Sequence, residues 1–252
     1  MGFDNYIRLF TSDTMFRKAL FNTVLFLVIG MPMQVITGLV LAVLLKDLHD
    51  KARSTFQLFN FLPYLTIPVS IGILFQILFD WKYGAVNMFL EGVQLIDEPV
   101  NWLGTAVGAR AITILLAYWK YFGYMMVIFL AGLSTIPEEL YEAADIDGAR
   151  WKDKFFRIIL PLLRPIITFV VTTSIMGGFQ FFDEPKMLFS GSGKAALGGP
   201  DRSVLTVIMY FYNVTFERFE YGYGAAIAYG LFVIIFIVSL LSMRAMTRSD
   251  NG

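Results

Sequence analysis

The chain has 252 residues, 57% hydrophobic and 16% charged, and a mean hydropathy of +0.64, so it carries more apolar surface than one water-soluble core can hide. Its 20 basic and 20 acidic residues cancel, and no basic tract stands out, which argues against a nucleic-acid partner. Cysteine is absent, which excludes disulfide frameworks, thiolate metal sites and thiol nucleophiles.

Crossing the hydrocarbon core takes about 20 apolar residues. Stretches of that kind are predicted at about Ala19 to Leu45, Phe56 to Phe79, Ala109 to Leu133, Ile158 to Phe182 and Ala225 to Met243. Lipid cannot satisfy open backbone groups, so each must be a helix, and the fold class is an all-α integral membrane bundle. The first stretch is too long and begins too late for a signal peptide, whose apolar region runs to about 7–15 residues. His49, the lone histidine, falls in the charged loop that follows and reads as solvated.

In the second stretch Pro63 and Pro68 remove backbone donors and predict a bend, either a packing kink or a bend lining a path through the membrane. Asn60 and Gln76 add polar groups that can hydrogen-bond between helices. The third stretch carries Lys120 beside Trp119, in the run Trp119-Lys120-Tyr121-Phe122-Gly123. An ammonium there costs about 2.5–3.5 kcal/mol on insertion scales unless it meets water or an acid, which predicts an inward-facing group. Snorkelling to the outer surface is the other option.

Ser134 to Arg157 forms a polar break. Within it, Glu139 to Arg150 predicts a short helix rich in acids and alanine, stopped at Gly148, and a second, basic helix then leads back into the membrane. Such a hairpin can present small residues to a soluble partner; taken alone, a solvated loop fits the spacing equally well. The fourth stretch ends in Met176-Gly177-Gly178-Phe179-Gln180-Phe181-Phe182-Asp183, which reads either as ordinary core, with aromatic residues packing at helical spacing, or as amide, carboxylate and ring faces that suit a sugar, with Gln180 and Asp183 ahead of the phenylalanines. In the loop from Asp183 to Tyr223, Gly191-Ser192-Gly193-Lys194 lacks half of a phosphate-loop spacing and reads as a flexible turn. Ile208-Met209-Tyr210-Phe211-Tyr212 reads as an interfacial belt or an outer amphipathic element. No hydrolase or nucleotide-binding constellation and no cofactor motif appears.

The hairpin carries Glu142-Ala143-Ala144-Asp145-Ile146-Asp147-Gly148, and nine residues after the glycine comes Ile158-Ile159-Leu160-Pro161. This pattern resembles the cytoplasmic signature of binding-protein-dependent ABC importer permeases. Leu130-Ala131-Gly132-Leu133, Ile136-Pro137, Gly198-Gly199-Pro200 and Tyr221-Gly222-Tyr223-Gly224-Ala225-Ala226 are similar to its carbohydrate branch, of maltose or glycerol-phosphate type. The similarity runs from about Phe10 to Leu241.

The resemblance implies a type I importer transmembrane domain over residues 1–252, multi-pass in a bacterial cytoplasmic membrane. It puts 134–157 on the cytoplasmic side as a coupling hairpin and 1–18 and 183–223 outside. Basic residues do not decide this orientation, since the loops inside by alternation hold ten and those outside nine. Members usually carry one more helix before the segment like Asn5-Tyr6-Ile7-Arg8-Leu9-Phe10, so the expectation is that Met1 is not the natural start or that the first span was lost. The implied partners are a related second permease chain, two ATP-binding subunits, an external solute-binding protein and a carbohydrate. Glu142, Ala143, Ala144, Asp147, Gly148 and Ala149 would contact the ATPase; Lys120, Gln180, Asp183, Trp119 and Asn60 would line the substrate path. The alternative, an ion-coupled carrier, calls for internal repeats and buried ion ligands.

Overall fold

The computed structural model describes residues 3–190 and 197–247 and is all-helical over them. The Gly191-to-Lys194 turn lies outside the described residues. Helices run in the order α1 (Asp4–Thr11), α2 (Thr14–Lys46), α3 (Asp50–Leu65), α4 (Pro68–Leu78), α5 (Ala85–Gly92), α6 (Ala106–Leu133) and α7 (Glu138–Ile146). After α7 come α8 (Trp151–Lys154), a π-helical turn (Phe155–Ile159), α9 (Leu160–Leu162), α10 (Arg164–Phe179), α11 (Asp183–Leu188), α12 (Val207–Tyr212) and α13 (Tyr221–Thr247).

Helices α2, α6 and α13 are each long and apolar enough to cross a membrane. Two further spans result if α3 with α4, and Trp151–Leu162 with α10, are each counted as one broken span; the latter pair bends by 65°. The predicted proline bend is thus a full break. Ile67 is extended, as a residue before proline prefers, and Pro68 opens α4 at its first turn, where a missing N–H costs nothing. Pro63 stays inside α3. In the fourth span, Leu160 N–H reaches back five residues to Phe155 O, widening the turn ahead of Pro161, which has no donor to offer.

The chain divides into two compact units: Met1–Gly30, Thr66–Tyr118 and Ile175–Val238 form one, and Met31–Leu65, Trp119–Ser174 and Ser239–Gly252 the other. In the first, polar side chains within apolar helices hold irregular backbone. Buried Asn22 of α2 donates to Arg202 O (2.9 Å) and Leu205 O (3.0 Å), and Arg110 donates to Asn22 Oδ1 at 3.0 Å. Thr23 accepts Val207 N–H at 3.0 Å. Gln76 of α4 donates to the carbonyls of Met187 (3.1 Å), Leu188 (2.8 Å) and Ser190 (2.8 Å), so its predicted interhelical role is real and its target is α11. Asn87 ties Trp81 O to Val100 O, both at 2.9 Å, ordering the stretch between the second and third spans.

One expectation is corrected here. Of the two readings of 208–212, the interfacial belt fails at Tyr210 of α12, which is buried with Val207 and Met209 because its hydroxyl has a carboxylate partner in Asp13 at 2.6 Å and its ring can therefore pack inside. In the second unit the core is built from Ala42, Val43 and Leu45 at the end of α2, Met126, Phe129, Leu130 and Leu133 of α6, and Ile136, Ile159 and Leu163 around the hairpin. Backbones meet closely: a Cβ on Gly38 of α2 would stand 2.7 Å from Met125 Cβ, and one on Gly123 of α6 would overlap the Asn60 carbonyl of α3.

Candidate functional site

Pro137 stands before α7, and Glu138 and Glu139 fill its first turn, where carboxylates favour the positive end of the helix dipole. At its far end Gly148 N–H bonds to Asp145 O (3.1 Å) and Ala149 N–H to Ala144 O (2.9 Å), a Schellman closure that requires a left-handed residue between them. Gly148 supplies it, with φ of +70°. A Cβ there would meet nothing within 4 Å, so the glycine is needed for backbone shape and leaves open space beside it.

The helix has two distinct faces. Tyr141 and Ala144, three apart, turn inward: Ala144 is 9% exposed and Tyr141 packs on the core described above. Glu139, Glu142, Ala143 and Ile146 share the opposite face by helical spacing, and all are exposed, Ile146 to 87%. The two adjacent alanines therefore do different things: Ala143 is available to a partner, and Ala144 seats the helix on its own chain. Asp147 and Gly148 are exposed beyond them and Ala149 is half-buried. Sequence reasoning passed over Ile146, whose large apolar side chain on an acidic face was itself a signal. Asp145 pairs with Lys154 of α8, and Trp151 stacks on Phe155 with ring centres 5.4 Å apart.

The groups singled out inside the membrane stretches fall into two sets. In the second unit, Lys120 is 5% exposed, with Nζ 5.5 Å from the Tyr121 ring. Trp119 beside it and Asn60 of α3 are half-buried, and the Asn60 amide donates to Phe56 O of its own helix at 2.7 Å. The same two helices, α3 and α6, share a tyrosine cluster that the sequence did not flag: Tyr64 stacks on Tyr124 at 4.5 Å and meets Tyr121 edge-on at 6.0 Å. In the first unit, Gln180 and Asp183 are exposed, Asp183 opening α11. Near them Lys186 Nζ stands 3.7 Å from the Tyr212 ring centre and 4.8 Å from that of Phe182. Glu184, also missed, is buried and engaged within the protein.

Residues 15–249 match the family described as binding-protein-dependent transport system inner membrane component. The chain belongs to this family. It is 35% identical over 245 residues to a lactose transport system permease protein of Rhizobium radiobacter, covering 97% of this chain and 80% of that one. An arabinooligosaccharides transport system permease protein of Bacillus subtilis is 36% identical over 245 residues, covering 97% and 75%. Among solved structures, a bacterial ABC transporter involved in the import of the acidic polysaccharide alginate superposes with a TM-score of 0.81 at 24% identity, covering 98% of this chain and 84% of that one; it bears on fold alone. As a membrane component of a binding-protein-dependent system, the chain acts together with other subunits, and its acidic hairpin and membrane helices are parts of that assembly.

Proposed function

We propose that this chain is the membrane-spanning permease subunit of an ATP-driven importer for a carbohydrate or sugar derivative in a bacterial inner membrane. It would pair with a second, related permease chain, take solute from an external binding protein and be driven by two cytosolic ATP-binding subunits. Residues 134–157 face the cytosol in this reading, and 1–18 and 183–223 face outward. The sugar relatives support the substrate class. What carries the coupling role is α7: an exposed stripe of Glu139, Glu142, Ala143 and Ile146, with open space at Gly148, seated on a core that also holds the ends of α2 and α6. Closure of the ATPase pair would move α7, and rigid-body rocking of the helices would switch access between the two sides. Lys120, Trp119 and Asn60, and separately Gln180 and Asp183, are the polar groups proposed to meet solute.

A labelling experiment tests this directly, because the native chain has no cysteine. A Glu138→Cys variant should react with a membrane-impermeant maleimide only after the cells are opened, and the tagged chain should co-purify with an ATP-binding subunit. Labelling of intact cells, or an assembly with no such subunit, would overturn the reading.

A further inference from the structure

We propose that Lys46 and Tyr141 are positioning residues, forming the linkage through which movement of α7 is handed to α2; this rests on α7 being the ATPase-docking element. Lys46 is the last residue of α2, and its ammonium stands over the Tyr141 ring at 3.1 Å from the ring centre. A cation is favoured at a helix C-terminus, so the same charge satisfies the end of α2 and grips the ring face of α7. The contact lies on the inward side of α7, away from the exposed docking stripe, so it has no direct part in holding a partner.

Two observations separate this contact from ordinary packing. The Tyr141 hydroxyl is buried and without a hydrogen-bond partner among the described residues, so Tyr141 holds Lys46 through its ring and not through its hydroxyl. The other polar tie of α7, Asp145 to Lys154, leads to α8, which follows it in the chain, whereas Lys46 leads to the longest helix of the molecule. The part of α2 in the second unit, Met31 to Lys46, gives a lever about 24 Å long at about 1.5 Å per residue. Eight residues before Lys46, Gly38 lets α2 touch the α6 backbone at Met125, a close contact about which the end of α2 can tilt.

The test uses the assembled transporter with spin labels on Glu138→Cys in α7 and Leu44→Cys in α2, both exposed positions, with distances read before and after Mg-ATP plus vanadate. The parent and the Lys46→Arg and Tyr141→Phe variants should keep one label separation, because α7 and the end of α2 move together. Lys46→Met and Tyr141→Leu should let the labels part by about 1–2 Å or more, the scale of helix shifts at interfaces. ATP-binding subunit should still co-purify in parental amount. A parent distance that itself changes, Lys46→Met and Tyr141→Leu distances that do not, or loss of the ATP-binding subunit in those variants, would overturn the linkage. Absence of that subunit from the parent assembly would instead bring down the docking role of α7.

Discussion

The Asp13 carboxylate accepts the Tyr210 hydroxyl at 2.6 Å, joining residues 197 positions apart in the chain. The same carboxylate accepts the Tyr223 hydroxyl, and its other oxygen caps α2 by accepting Phe16 N–H at 2.9 Å. Arg8 of α1 lies 4.1 Å over the Tyr223 ring and pairs with Glu220 at 3.4 Å. One acid thus fastens the start of α2, α12 and the start of α13, and Arg8 adds α1 to the group. Burial pushes the Asp13 carboxyl up, but the two tyrosine hydroxyls and the amides of Phe16 and Met15 outweigh it and hold it below its ordinary value. For Tyr210, burial first and the bond to Asp13 second push the hydroxyl well above the usual tyrosine range.

The folded form of Asp13 therefore binds its proton more weakly than the unfolded chain does, where the group titrates near pH 3.9. Its contribution is present above that pH and is lost as pH falls through the lower folded value. Asp13→Asn should unfold several degrees below the parent at pH 7, corresponding to about 1–2 kcal/mol. The gap should narrow below about pH 4, where the parent loses its own advantage. Thermal unfolding in detergent across this range measures both; a gap independent of pH would refute the assignment.

Gln76 donates to three carbonyls around α11, of which Met187 O also accepts the Ser190 hydroxyl at 2.9 Å and Ser190 N–H at 3.2 Å. Gln76→Leu should take the side-chain donor from the Leu188 and Ser190 carbonyls at a cost of about 1–3 kcal/mol and raise amide exchange in 183–190. Asn60→Leu is the control: its amide serves only its own helix at Phe56, so stability should stay within about 0.5 kcal/mol. Exchange by mass spectrometry distinguishes the two.

Apolar runs made the spans readable, because lipid imposes length and helix together. The end of α7 was readable too, since Gly148 is the residue that tolerates a positive φ. What stayed hidden depends on distant partners. Asn22, Thr23 and Asn87 look like interruptions of apolar sequence, and only the carbonyls they reach reveal them as anchors. The roles of Ala143 and Ala144 are indistinguishable by type; helix phase against the core separates them. In the candidate site, the acids and Gly148 were visible, whereas Lys46 over Tyr141 was not, as the two stand 95 positions apart with no pattern linking them.

Gly148 separates two effects that a single substitution would merge. Asn tolerates a left-handed backbone, so Gly148→Asn should keep the fold of the hairpin while filling the open space beside it. Gly148→Val adds strain of about 1–2 kcal/mol to the same bulk. If a partner packs against this point, both variants should lose ATP-binding subunit on co-purification, and only Val should lower thermal stability. Full retention of the subunit by both would remove Gly148 from the interface.

Lys120 is the buried cation of the third span and is engaged inside the protein. Lys120→Met keeps the length of the stem and removes the charge, so the packing of α6 should survive largely intact. If the ammonium contacts solute in transit, uptake per ATP hydrolysed should fall about tenfold or more, equivalent to about 1.4 kcal/mol or more at the limiting step. Assembly with the other subunits should remain close to parental. Lys120→Arg, which keeps the charge with a bulkier head, should fall between the two. Measuring uptake and hydrolysis together in proteoliposomes decides the matter: parental uptake with Met at this position takes Lys120 out of the pathway, and a joint collapse of assembly and uptake makes it a structural cation instead.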